Sequence, residues 1–120
     1  MATTKVATAI WSSQALVADE ADTTATAVNL TDGYGATLNI KLTNGATGPT
    51  VAAQVEVQVS EDNSEWYEVW TMTGKTGNNA VAEWGMMRIE MGTQYLRLVA
   101  GSNTGQNVTV DADLSEVTAV

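Results

Sequence analysis

The chain has 120 residues, with no Cys, no His, and fourteen acidic against five basic side chains, a net charge of −9. That length makes one domain, able to bury about two-thirds of the surface its unfolded chain exposes. Without Cys or His there are no disulfides, no thiolate or imidazole metal ligands and no imidazole base. The acidity repels phosphate and argues against a nucleic-acid partner.

No apolar run approaches the ~20 residues of a membrane helix, so no membrane partner is expected. The opening Met1-Ala2-Thr3-Thr4-Lys5-Val6 lacks the charged and apolar regions of a signal peptide. The expectation is synthesis in a cytoplasm and assembly there into something larger. The glycosylation-type triplets Asn29-Leu30-Thr31 and Asn107-Val108-Thr109 then read as chance.

Lys5 to Ala18 reads as a first strand region anchored by Val6, Ile10, Trp11, Leu16 and Val17, followed by a polar turn over Asp19 to Thr24. Residues 1–24 are thus an N-terminal strand, or an arm that packs on a neighbouring copy, and 25–120 a β-sandwich. Ala27 to Leu30 is a short strand ended by Asp32-Gly33, a strong turn dipeptide. From Ala36 the chain alternates, Leu38, Ile40 and Leu42 to one side and Thr37, Asn39 and Lys41 to the other. Asn44-Gly45 stops that strand, and Gly48-Pro49 leads into a hairpin over Val51–Met72. There Val55, Val57 and Val59 alternate with Gln54, Glu56 and Gln58. Ser60 to Ser64 supplies turn chemistry, and Trp66 to Met72 returns as a strand.

Thr73 to Asn79 is the most flexible-looking loop of the chain. Ala80 to Met91 is another strand, with a bulge expected at Gly85. In Gln94 to Ala100, Leu96 and Leu98 oppose Tyr95, Arg97 and Val99, before a turn over Gly101–Gln106. The last strand sets Val108, Val110, Ala112 and Leu114 against Thr109, Asp111 and Asp113. No segment keeps helical spacing, so helices should be negligible. The expected fold is all-β, a single β-sandwich, jelly-roll or Ig-like, of about eight mostly antiparallel strands.

Strict alternation puts Trp66, Glu68, Trp70 and Met72 on one face and Tyr67, Val69 and Thr71 on the other. One face should be core; the other should meet a partner subunit, or stack a sugar ring on Trp66 and Trp70. Asp111 and Asp113 share a face about 7 Å apart by strand rise. They read as a solvated edge charge in preference to a Ca²⁺ site, since no Gly-turned loop accompanies them. Glu65 and Glu68 have the spacing of a chance acidic pair. Ser12, Ser13 and Ser64 have no His to activate them, and Gly74-Lys75-Thr76 lacks the rest of a phosphate loop. No catalytic residue, metal or cofactor is assigned.

Several blocks carry a resemblance: Ala9-Ile10-Trp11-Ser12-Ser13, Leu30-Thr31-Asp32-Gly33-Tyr34-Gly35, the Val55–Trp66 hairpin, Gln94 to Gly101 and Val108 to Ala112. Together they resemble small structural proteins of tailed bacteriophages. The resemblance implies a non-enzymatic virion protein that decorates or cements the capsid between major capsid protein subunits, self-associating as a homo-oligomer such as a trimer. A tail or head–tail connector component is the alternative in the same setting, and a carbohydrate-binding sandwich the alternative from another class. Expected partner contacts are Ile10, Trp11, Trp66, Tyr67, Trp70, Trp84, Met86 and Met87. Locally, Val57 to Trp66 is similar to a hairpin of discoidin-like sandwiches, with no ligand residues to carry over.

Overall fold

Alternating apolar and polar residues, broken by Asp, Asn, Gly and Ser turns, build nine strands in a computed structural model that describes residues 3–119. They are β1 (Thr4–Leu16), β2 (Thr23–Thr24), β3 (Val28–Asn29), β4 (Ala36–Asn44), β5 (Gln54–Ser60), β6 (Tyr67–Thr73), β7 (Ala82–Ile89), β8 (Tyr95–Gly101) and β9 (Val108–Ala119). There is no helix among the described residues. The strands form two antiparallel sheets, β1-β9-β4-β7 and β2-β8-β5-β6, with β3 also paired to β8.

The pairing decides between the two sandwich types. Thr23–Thr24, read in the sequence as turn, pairs with Val99 and Ala100, and Val28–Asn29 pairs with Leu96 and Tyr95. The two short pieces therefore occupy the place of one interrupted strand. Counted so, the first strand pairs with the last, the second with the next to last, and so inward to the β5–β6 hairpin. That is a long antiparallel ribbon wrapped over itself, a jelly roll and not an Ig-like order.

The alternation holds residue for residue over Ala36–Asn44 of β4, Tyr95–Ala100 of β8 and Val108–Leu114 of β9. Leu38, Ile40 and Leu42 from β4, Leu96 and Leu98 from β8, and Val108, Val110 and Leu114 from β9 are fully buried, joined by Val55 and Val57 of β5. Each such side chain contributes roughly 1.5–3 kcal/mol by leaving water.

β1 departs from simple alternation. Its register with β9 shifts between Ala9 and Trp11 and again between Trp11 and Gln14, where Ser13 takes φ of 50°. An odd residue, Trp11, and an even one, Leu16, thereby both face the core, which an unbroken strand forbids. β1 is a sheet strand paired to β9 over its full length.

Gly85 carries no bulge, contrary to expectation; the β4–β7 register runs unbroken through Ile40↔Gly85. Its role is close approach. A Cβ there would lie 2.6 Å from Met72 Sδ and 2.8 Å from Trp70 Cη2, so the missing side chain lets β6 side chains pack on β7.

The Thr73–Asn79 segment is also not a free loop. Asn44 Nδ2 donates to the carbonyls of Lys75 and Gly77, the Gly48 N–H to Asn78 Oδ1, and the Asn79 N–H to the Ala46 carbonyl. At the same end of the sandwich, Asn103 Nδ2 donates to the carbonyls of Leu16 and Gln106 and ties the β8–β9 turn to β1.

Candidate functional site

The residues expected to meet a partner scatter over the molecule. Trp11 is 8% exposed and belongs to the core, and Ile10 and Met87 pack partly buried against it. All three contribute to the core, and Trp11 also reaches the lining of a groove on the four-stranded sheet.

Trp66 and Trp70 do not share a face. Val57 pairs with Trp70 but Gln58 with Glu68, so Val69 is an extra residue that switches the phase of β6. Beyond the switch, Trp70 and Met72 point inward against the core and Gly85, while Glu68 hydrogen-bonds with Thr71 on the outer face. Trp66 lies over the guanidinium of Arg97, 4.3 Å from the ring centroid, and Arg97 Nε donates to Gln58 Oε1 at 2.7 Å. The flat platform drawn from alternation is therefore split by a single inserted residue. Tyr67 pairs with Val59 and stands 60% exposed, and Val69 is 46% exposed, both on the open edge of the five-stranded sheet.

A different cluster assembles on the outer face of the four-stranded sheet. The register aligns Trp84, Lys41 and Asp111 in one row across β7, β4 and β9, and Met86, Asn39 and Asp113 in the next, with Ala9 of β1 beside Asp113. These residues line a groove of about 480 Å³. Its wall is apolar, since Trp84 is 67% and Met86 73% exposed. Its floor is polar. Lys41 Nζ sits 5.3 Å from the Trp84 ring centroid, Asn39 Nδ2 donates to Asp113 Oδ1 at 3.1 Å, and the Ser13 N–H donates to Asp111 Oδ1 at 2.7 Å. The β1 bulge is what aims that N–H at Asp111.

Asp111 and Asp113 share a face as the sequence spacing requires, and among the described residues no three acidic side chains converge on a metal-sized site. Asn39 and Lys41 were not singled out from the sequence. The available signal was their place on the polar side of the 37–42 alternation, but which strands flank them is a matter of sheet order.

On the hairpin, the Tyr67 hydroxyl is 3.5 Å from Glu65 Oε2. In the turn, the Asp62 carboxylate accepts the N–H groups of Glu65 and Ser64 and hydrogen-bonds with the Ser60 hydroxyl; these hold it below the ordinary carboxylate pKa.

No family model and no curated protein matches the chain. Solved structures resemble it. The PBSX exported protein XepA aligns with a TM-score of 0.58 at 12% identity, over 96% of this chain and 38% of that one. A protein of the disulfide-linked pili formed by Bacillus endospore appendages gives 0.56 at 12% identity, over 100% and 93%. The K1 cleaved adhesin domain of Lys-gingipain from Porphyromonas gingivalis W83 gives 0.53 at 13% identity, over 82% of this chain and 63% of that one. The chain thus spans less than two-thirds of the adhesin domain. At these identities the likeness shows a shared β-sandwich fold.

Proposed function

We propose that this protein is a non-enzymatic structural module that docks in many copies on a repeating surface, the shell of a tailed-bacteriophage particle. The observation that carries the reading is the bare edge strand β6, where Tyr67 and Val69 stand in solvent beside a hollow lined by Val59, Glu90 and Gln94. Exposed edges invite a partner unless they are blunted, and an aromatic anchor beside a hollow is how protein interfaces concentrate their energy. The blocks shared in style with small virion proteins supply the setting, and the net charge of −9 suits a basic acceptor surface. Affinity per copy need only be modest, because multivalent display multiplies it.

The gene should lie among head and tail genes, and electron microscopy of the particle should show its density at joints between major capsid subunits. Tyr67→Arg should reduce binding to empty shells about tenfold or more, and wild-type binding should weaken as salt rises. Density confined to the tail would establish the connector or tail alternative. Absence from the particle would end the virion reading.

A further inference from the structure

Docking through β6 leaves the groove on the other sheet without a role. We propose that this groove is a binding site for a neutral carbohydrate chain, stacked on Trp84 and hydrogen-bonded from a floor of Asn39, Lys41, Asp111 and Asp113. The inference goes beyond the docking role and does not depend on it.

The make-up of the groove selects the ligand class. An exposed indole beside a thioether offers an apolar surface to the C–H face of a sugar ring. Next to it, Asp111 and Asp113 each use one oxygen in an internal hydrogen bond, which holds the carboxylate in place and leaves its other oxygen as an acceptor. Lys41 is a donor engaged by the Trp84 ring; among the described residues the one ion pair is Lys75 with Glu83. Hydroxyls donate and accept together, so a polyol can replace the water on such a floor bond for bond.

A protein partner fits less well. It would bury two carboxylates against the single cation Lys41, and an ion left without a partner costs several kcal/mol; interface cores are also depleted of charge. A second copy of this chain would bring more acid to the same place. Anionic polysaccharides meet the field of a chain carrying −9. The four strands put three interstrand spacings, about 14 Å, under the ligand, with two side-chain rows about 7 Å apart. The groove volume of about 480 Å³ lies in the range of small-molecule sites.

Calorimetric titration and tryptophan fluorescence of the full chain would test this. The probes are neutral cello-, xylo-, manno- and β-1,4-galacto-oligosaccharides, with polygalacturonate as the anionic control. The expected result is saturable binding of at least one neutral series and none of polygalacturonate. Trp84→Ala should weaken binding about tenfold or more; circular dichroism confirms its fold, which two-thirds exposure of the side chain should spare. Asp113→Ala should weaken binding as well, while Trp66→Ala and Tyr67→Arg should bind like the wild type. Because Tyr67→Arg should weaken docking alone, the two roles fail separately. No binding of any neutral series at millimolar concentration, preference for polygalacturonate, or undiminished binding by Trp84→Ala would overturn the proposal.

Discussion

At the scale of single residues, the polar side chains that matter most here are those that organise backbone. Asp62 accepts two N–H groups two and three residues ahead, with Asn63 at φ of 60°, and so shapes the turn that Ser60 to Ser64 announces in the sequence. Its carboxyl is held below the unfolded value of about 3.9. A depressed carboxyl adds stability that is complete above the unfolded pKa and is lost as pH falls through the folded one. Asp62→Asn keeps the acceptor oxygen and removes the titration. Urea midpoints should therefore place the wild type above Asp62→Asn at pH 7, with the gap closing towards pH 2. A gap that does not change with pH would contradict this role. Asn44 and Asn103 act similarly, but the sequence does not mark them as staples, since the carbonyls of Lys75, Gly77 and Leu16 that they bind lie far away in sequence.

Elements with uninterrupted alternation were legible in full, and those with an inserted residue were not. In β4, β8 and β9 a period of two assigns every side chain to its face. Two extra residues in β1 and one in β6 change the phase, and no local signal distinguishes Val69 from any other strand valine. The cost fell on the reading of function, because Trp66 and Trp70 lie on either side of the insertion. Gly85 is the complementary case: the sequence marks the glycine as an irregularity, but the reason for it is the neighbouring sheet. Gly85→Val should destabilise the protein by about 1–3 kcal/mol through overpacking. In the Trp70→Ala background the penalty should shrink, since the indole it strikes is gone. Urea unfolding of the four-member cycle measures the coupling, and additive penalties would refute the contact.

For the molecule as a whole, two sheets share one core, with Leu38 on the four-stranded sheet and Leu98 on the five-stranded one, both fully buried. Leu38→Ala and Leu98→Ala should each cost about 2–5 kcal/mol. In both variants far-ultraviolet circular dichroism and tryptophan fluorescence should melt together, because neither sheet can lose its cover without the other. Separate transitions would show that the sheets hold independently. The sequence by itself determined what is local: strands, turns, the side of each unbroken strand that is buried, and an acidic surface without His or Cys. Turn chemistry and period-two patterning act between neighbours, so neighbours suffice to read them. Only the tertiary structure decided the jelly-roll order, the phase of β1 and β6, and the row that joins Trp84 to Lys41 and Asp111. Those depend on which strands lie side by side, and that is set by burial of the whole core at once and not by any stretch of chain alone.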